Sequence, residues 1–256
     1  MGVIKRLCLI FLFFLACSQP SDFSHIKVVE VIDGDTVKLQ GGRLLCYIGI
    51  DTPEIRMKEN GRWIYKPKPF ALESKNFNRQ LVEGKHVRVE FDLEKTDKYG
   101  RLLGYVFLED DTFVNARLLK GGYAVLYTYP PNVKYADLFI ARQREARESK
   151  KGLWGAYSTV SQNKAHEFIG QIRTVRGKVL DTYRSKKCIF LNFGRNYKTD
   201  FTVVIFKNSW EYFEDKGIDP LTFYKGRIVE VTGRIKEYNG PEIIVNIPRE
   251  IRVIRD

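Results

Sequence analysis

The chain has 256 residues, of which 44% are hydrophobic and 29% are charged, and its formal net charge is +12. This length and apolar content suffice for one or two hydrophobic cores, so the protein does not belong to the class of small chains that cannot bury a core. The positive charge favours a polyanionic partner, either a nucleic acid or an anionic membrane surface, but it also fits simple solubility, so only the motifs separate these classes.

The N-terminus has the pattern of a targeting segment. Lys5 and Arg6 precede an apolar run at residues 7–15, which is too short to span a bilayer but has the length of a signal-peptide core. We therefore expect a signal peptide at residues 1–17 and a linker at 18–25. The chain is then exported, and its localisation is extracellular or on the outer face of a membrane.

The end of this segment, Leu15-Ala16-Cys17, looks like a lipoprotein processing site, although Phe14 stands where that pattern usually has Leu, Val or Ile. Three interpretations stay open: lipidation of Cys17, which would attach the chain to a membrane; an ordinary secreted form; and an uncleaved anchor.

The spacing of apolar residues predicts a series of strands followed by helices. Strands are expected at 26–32, 36–39, 43–50, 87–91 and 102–108. A helix at 69–82 is indicated by Phe70, Phe77 and Leu81, with Gly84 as its C-cap. Two further helices are expected at 113–120 and 136–150. The basic segment 56–67 is expected to be a mobile loop.

Three carboxylates lie where predicted strands give way to loops. Asp35 belongs to an Asp-Gly-Asp-Thr run, and Asp51 and Glu54 belong to Asp51-Thr52-Pro53-Glu54. Each run alone fits an ordinary turn, because Asp, Gly and Pro are common turn residues. Together they offer the oxygen ligands that a hard cation needs, with one carboxylate left to act as a base on water.

A third run, Thr96-Asp97-Lys98-Tyr99-Gly100-Arg101, follows the two acidic motifs. The three motifs in this order resemble the thermonuclease (staphylococcal nuclease) family, over roughly residues 25–157. The resemblance implies an OB-fold, a five-stranded barrel with three helices, and hence a mainly β chain of the α+β class for residues 26–157. It also implies an endonuclease, a metal-dependent phosphodiesterase that acts on DNA, RNA or both.

The resemblance further implies a role for each matching residue. Asp35, Asp51 and the Thr52 carbonyl would hold Ca²⁺, in preference to Mg²⁺ or Mn²⁺. Glu54 would be the general base, and Arg101 would stabilise charge on the five-coordinate phosphate.

Four more residues match the nucleic-acid contacts of the family. Lys98 and Tyr99 resemble residues that contact a terminal phosphate. Tyr127 and Tyr129, at i and i+2 of an extended segment, resemble residues that lie against the nucleotide. Packing of these two tyrosines under the following proline pair is the alternative.

The sequence departs from the family pattern at Cys46, five residues before Asp51, where the family has a second catalytic arginine. Arg43 would need a bulge to point to the same face, and Arg56, Lys58 or Arg62 would have to reach in from the loop. Cys46 and Cys188 are expected to be free thiols.

Residues 158–168 are predicted to be a linker, and residues 169–256 to form a second, OB-like β-barrel that binds nucleic acid. Strand patterns at 228–235 and 243–247 flank an Asn239-Gly240 hairpin turn, and a short helix is expected near 210–216. Basic and aromatic residues are interleaved at 183–198, as in proteins that bind single strands.

Two functional interpretations follow. The first is an exported Ca²⁺-dependent nuclease. The second is a catalytically weak or inactive lipoprotein that binds nucleic acid on the same barrel, because Cys46 replaces the second arginine. The retained Asp35, Asp51, Glu54 and Arg101 favour the first interpretation, since binding alone does not need a metal site and a base.

Overall fold

The computed structural model describes residues 23–254, so the predicted signal peptide and Cys17 lie outside the described residues. The chain contains both helices and strands, with strands dominant, which confirms the predicted fold class. Its buried apolar residues form two main hydrophobic clusters, one in each half of the chain. Within residues 23–254, no helix has the length and hydropathy needed to cross a membrane.

The first half contains strands β1 to β9 and helices α1 to α4. The strands are β1 (Ile26–Val31), β2 (Thr36–Leu39), β3 (Leu44–Tyr47), β4 (Gly49–Asp51), β5 (Arg56–Glu59), β6 (Arg62–Tyr65), β7 (His86–Glu90), β8 (Leu102–Leu108) and β9 (Val125–Tyr127). The helices are α1 (Ala71–Val82), α2 (Val114–Gly121), α3 (Ala136–Glu148) and α4 (Leu153–Ala156).

Five of these strands form a closed barrel in the order β1-β2-β3-β8-β7. The neighbours are antiparallel except for β3 and β8, which are parallel. Val28, Val37 and Leu45 are fully buried in its core, because alternate side chains of each strand point inward. The barrel predicted for residues 26–157 is therefore confirmed.

Two local predictions in this half are wrong. The segment 56–67, predicted as a mobile loop, contains the antiparallel hairpin β5–β6. The strand predicted at 43–50 is broken between β3 and β4, because Gly49 has a φ of 84° and β4 leaves the barrel to pair with β9. This break directs Asp51 and Thr52 away from the barrel strands.

The second half contains strands β10 to β18 and helices α5 and α6. The strands are β10 (Val160–Ser161), β11 (Ile172–Lys178), β12 (Asp181–Arg184), β13 (Cys188–Asn192), β14 (Thr202–Phe206), β15 (Ile228–Arg234), β16 (Lys236–Glu237), β17 (Pro241–Ile244) and β18 (Ile251–Val253). The helices are α5 (Trp210–Glu214) and α6 (Pro220–Phe223), with 3-10 helices at Gln162–Phe168, Lys207–Ser209 and Pro248–Glu250.

These strands form two sheets around one core, in the orders β10-β11-β15-β18 and β12-β13-β14-β17-β16. Strands β14 and β17 pair in parallel, as the third and fifth barrel strands in chain order, β3 and β8, do. Strands β11 and β15 pair antiparallel, as the first and fourth barrel strands, β1 and β7, do. These two pairings thus match pairings of the first barrel. The ladders do not close into one barrel as predicted, because β15 and β17 are not joined by a ladder within the described residues.

Both predicted linkers carry structure. Residues 158–168 include β10 and a 3-10 helix, and Ala165 of that helix is fully buried in the second core. Of the linker predicted at 18–25, only residues 23–25 are described, and the Phe23 ring packs edge-on against Phe91 at 4.9 Å between centroids. Each predicted linker thus packs, at least in its described part, against the domain that follows it.

A network around Thr128 joins the two domains. The Thr128 N–H and hydroxyl both donate to Glu250 Oε1, at 3.1 and 2.7 Å, and Asn246 Nδ2 donates to the Thr128 carbonyl at 2.6 Å. Arg147 of α3 forms an ion pair with the buried Glu230 of β15. Because every polar group of Thr128 is bound by the C-terminal domain, that domain fixes the segment between Tyr127 and Tyr129.

We expect Gly49→Ala to destabilise the protein more than Gly41→Ala. Both glycines have positive φ, 84° and 87°, which costs an alanine about 1–2 kcal/mol. A Cβ at position 49 would also lie 2.4 Å from Phe139 Cε2, whereas position 41 has no heavy atom within 4 Å. Overpacking adds about 1–3 kcal/mol at Gly49 alone, and urea unfolding measures the difference. Equal losses in the two variants would contradict the close approach.

Candidate active site

The two acidic motifs meet through a hydrogen bond between their loops. The Thr52 N–H donates to Asp35 Oδ2 at 3.0 Å. Gly34 makes this contact possible, because a Cβ at that position would lie 2.6 Å from Thr52 Oγ1. Gly34 is thus required for close approach of the two loops, and its neighbours Asp33 and Asp35 are brought next to Asp51.

Helix α2 supports the second motif from inside the protein. The buried Asn115 donates through Nδ2 to the Ile48 carbonyl at 2.9 Å and accepts from the Val106 N–H at 3.0 Å. The first bond satisfies the carbonyl at which the chain leaves β3 for β4, and the second ties Asn115 to strand β8. They hold the start of the segment that carries Asp51 and Glu54.

Crowding of carboxylates changes their proton affinities. The pKa of Asp35 is raised well above its usual range by burial and by the charges of Asp33, Asp51 and Glu54. The pKa of Glu54 is also raised, mainly because the cleft removes water from the carboxyl, although Arg234 acts in the opposite direction. Such a group of acids favours a bound cation, and a carboxylate with a raised pKa accepts a proton more readily than an ordinary one.

The third motif forms a tight turn that orients Arg101. Asp97 accepts hydrogen bonds from the Tyr99 and Arg101 N–H groups, and Arg101 Nε donates to Asp97 Oδ2 at 2.7 Å. Within residues 23–254, the two Nη nitrogens of Arg101 have no hydrogen-bond partner. They remain available to phosphate oxygens.

A single cleft of about 740 Å³ collects the predicted residues. Its lining includes Asp51, Glu54, Lys98, Tyr99, Arg101, Tyr127 and Tyr129. Tyr127 is partly buried, whereas Tyr99 and Tyr129 are exposed, so the three rings line the cleft rather than the core. Asp35 and Thr52 lie directly behind Asp51 through the Thr52–Asp35 hydrogen bond.

Cys46 also lines this cleft, on β3 opposite Thr36. Its Sγ lies 3.8 Å from Thr36 Oγ1, and burial together with the charge of Asp35 raises the pKa of the thiol. The thiol is therefore neutral and cannot substitute for a guanidinium. Cys46 and Cys188 are both free, as predicted.

A family model described as Staphylococcal nuclease homologue matches residues 44–156. The chain is 40% identical to a thermonuclease of Staphylococcus intermedius over 131 residues, which are 50% of this chain and 74% of that relative. The chain belongs to the staphylococcal nuclease family. It is 37% identical to a thermonuclease of Staphylococcus hyicus, over 50% of this chain and 74% of that one. It is also 37% identical to the endonuclease YncB of Bacillus subtilis, over 51% and 61%.

Membership of this family makes the chain a nuclease, a metal-dependent phosphodiesterase. The site fits such a metal, because Asp35, Asp51 and the Thr52 carbonyl offer only oxygen ligands within one hydrogen-bonded group. Burial, together with the charges of Asp33, Asp51 and Glu54, raises the pKa of Asp35, as expected where several carboxylates lie close together. The individual roles of these residues stay predictions.

The basic residues proposed as substitutes for the missing arginine are not part of the cleft lining. Arg43 lies over the Phe23 ring, 5.9 Å from its centroid, at another part of the barrel. Arg56, Lys58 and Arg62 are exposed on the β5–β6 hairpin. None of these basic side chains therefore takes the place of the missing arginine in the cleft.

Sequence reasoning missed two basic residues of the cleft, both from the C-terminal domain. Arg234, at the end of β15, contacts Asp51, Thr52 and Glu54. Lys236 lies 5.9 Å from the centroid of the Tyr127 ring, and burial lowers the pKa of its ammonium. No local pattern marks either residue, because more than a hundred residues separate them from the motifs they join.

We expect Asp35→Asn to stabilise the metal-free protein at pH 7 and to have little effect near pH 3. The pKa of Asp35 is raised in the folded state. Above the unfolded-state pKa of about 3.9, ionisation of Asp35 therefore lowers the free energy of unfolding. An asparagine does not ionise, so the variant avoids this loss. Thermal unfolding in chelator at both pH values measures the change.

Asp97→Asn is the matched control with the opposite sign. Burial acts to raise the pKa of Asp97, but hydrogen bonds from Arg101 and Tyr99 outweigh it and lower the pKa. Ionised Asp97 therefore stabilises the folded state above its unfolded-state pKa, and the amide should lower the melting temperature at pH 7. A lower melting temperature for Asp35→Asn at pH 7 would contradict a raised pKa of Asp35.

Proposed function

We propose that this chain is an exported, Ca²⁺-dependent nuclease that hydrolyses internal phosphodiester bonds of DNA, RNA or both. The observation that carries the proposal is the meeting of Asp51, Glu54 and Arg101 at one cleft that also presents exposed tyrosines, with Asp35 bound to the adjoining Thr52 N–H. The names of the relatives support it, since they are thermonucleases and endonucleases.

The reaction follows from the positions of these groups. A Ca²⁺ ion held by Asp35, Asp51 and the Thr52 carbonyl would supply positive charge beside the phosphate. Glu54 accepts a proton from a water molecule as the water oxygen forms a bond to phosphorus. One ester P–O bond breaks, and the leaving oxygen takes up a proton from solvent. Arg101 stabilises the negative charge that develops on the phosphate oxygens.

The cleft also offers a path for the nucleic acid. Tyr99 is 74% exposed and Tyr129 is 54% exposed, and Lys98 Nζ lies 5.1 Å from the centroid of the Tyr99 ring. We assign Tyr127 and Tyr129 to base contacts, and Lys98 and Tyr99 to phosphate contacts. Stacking on aromatic rings tolerates every base, so weak sequence preference is expected.

The proposal includes export of the chain, with Cys17 either lipidated at a membrane or lost with the signal peptide. Its support is the sequence of residues 1–17. The competing function, a catalytically weak or inactive nucleic-acid-binding lipoprotein, is favoured by one observation, the cysteine at position 46.

Cleavage of labelled single-stranded DNA, double-stranded DNA and RNA tests the nuclease. With the chain from Ser18 onward we expect cleavage that needs Ca²⁺ and stops in chelator. Glu54→Gln should reduce the rate by about 10²–10⁴, because a general base is removed while the shape is kept. Salt-sensitive binding without cleavage, and activity only after Cys46→Arg, would favour the binding protein instead.

The C-terminal domain is proposed to bind single-stranded nucleic acid at a second cleft of about 980 Å³. Tyr183 and Tyr197 line this cleft and are 60% and 58% exposed, and Arg195 lies beside them. Exposed aromatic rings next to a guanidinium are what base stacking and phosphate attraction require. Tyr238, which is 80% exposed, adds a further ring at the same cleft.

We expect Tyr183→Ala and Tyr197→Ala each to weaken binding of oligothymidylate by about 1–3 kcal/mol, the value of one lost stack. Phe206→Ala is the control, since Phe206 is an exposed ring of the same domain outside the lining of that cleft. Fluorescence anisotropy in chelator measures affinity without cleavage. Equal affinities for all four proteins would remove the second binding surface from the proposal.

A further inference from the structure

The position that lacks its arginine lies at the edge of the cleft. Cys46 of β3 is paired with Thr36, the neighbour of Asp35, so an arginine there would be next to the acidic loops. The arginine that does lie beside these loops comes from the other domain. Arg234 Nη2 donates to Asp51 Oδ1 and to the Thr52 carbonyl, both at 2.6 Å, and lies 3.4 Å from Glu54 Oε1.

Arg234 is held in place by the fold of the C-terminal domain. It ends β15, which pairs with β11 on one side and β18 on the other. The next residue, Ile235, accepts from the Gly170 N–H and donates to the Gln171 carbonyl. Arg234 Nη1 also lies 3.4 Å from the Gly170 carbonyl, and only 15% of the side chain is exposed. Its guanidinium is thus pre-positioned and is not a flexible surface group.

The domain that carries Arg234 is itself fixed against the barrel. Glu250 and Asn246 bind every polar group of Thr128, and Ile247 is buried in the core of the barrel. Thr232 and Gly233 form part of the wall of the same cleft. The nuclease cleft is therefore completed by the second domain.

We propose that Arg234 is the second arginine of this nuclease, supplied by the C-terminal domain, and that it contacts the substrate phosphate in place of the residue missing at Cys46. The proposal rests on the nuclease function proposed above. A guanidinium presents two parallel N–H donors in one plane to two phosphate oxygens, a geometry that neither the Cys46 thiol nor the Lys236 ammonium offers.

The contacts of Arg234 also bear on cation binding. Asp51 and the Thr52 carbonyl are the predicted cation ligands, so Arg234 and the cation compete for the same oxygen atoms. When a cation is bound, the guanidinium must give up part of these contacts. Glu54 and the substrate phosphate are the partners that remain for it in the cleft.

The test compares Arg234→Gln and Arg234→Lys with the natural protein and with Arg252→Gln. Arg252 is the matched control, because it lies on β18 of the same sheet and pairs with Glu230 instead of the cleft acids. Loss of one pre-positioned donor should reduce kcat by about 10²–10³ in Arg234→Gln. Arg234→Lys keeps the charge without the planar fork and should remain at least about tenfold slower than the natural protein. Arg252→Gln should keep its kcat.

Calorimetric titration with Ca²⁺ alone gives a readout independent of cleavage. The affinity of Arg234→Gln for Ca²⁺ should be equal to or higher than that of the natural protein, because the guanidinium that competes with Ca²⁺ for Asp51 and the Thr52 carbonyl is gone. In the Arg234→Gln background, Cys46→Arg should recover at least about tenfold of the lost rate, since it restores a donor to the cleft.

Cleavage by Arg234→Gln or Arg234→Lys at the natural rate or faster would overturn the proposal and leave Arg234 as an occupant of the cation site. Weaker Ca²⁺ binding in Arg234→Gln would overturn it too, because the lost activity would then follow from lost metal. Failure of the natural protein to cut any nucleic acid would instead refute the proposed function itself.

Discussion

The hydrogen bond from the Thr52 N–H to Asp35 is the contact on which the site depends. It joins two loops whose carboxylates lie close together, at a cost in repulsion and lost hydration. The closed barrel, the absence of a side chain at Gly34 and the support of Ile48 by Asn115 together hold these loops. The fold thus maintains a concentration of negative charge that a bound cation relieves.

The second domain contributes to the same chemistry. Its Arg234 lies among the acids of the first domain, and its Glu250 and Asn246 fix the backbone between the cleft tyrosines. Burying a guanidinium is costly unless it is paired, and the carboxylates of Asp51 and Glu54 provide that pairing. The ion pairs of Arg234 with Asp51 and Glu54 therefore both connect the two domains and neutralise part of the negative charge of the site.

The two domains also share part of their strand pairing. Both contain a parallel pair, β3–β8 in the first domain and β14–β17 in the second. Both also pair an early strand antiparallel with a late one, β1 with β7 and β11 with β15. The first closes into a barrel and carries the acidic loops at the ends of its strands. The second remains open as two sheets, and its strand β15 projects Arg234 beyond the sheet toward its neighbour. Two domains with the same two strand pairings thus differ in role, since one carries the acids and the other adds a positively charged guanidinium.

The sequence by itself determined the barrel, most strand and helix bounds, and the family, because alternation of apolar residues and short acidic motifs are local signals. Asp35, Asp51, Glu54 and Arg101 could be chosen as site residues for that reason. Only the tertiary structure decided the break at Gly49, where β4 leaves the barrel to pair with β9, and the entry of Arg234 into the cleft. Along the sequence Arg234 is one polar residue in an alternating strand, and its role arises solely from the packing of two domains.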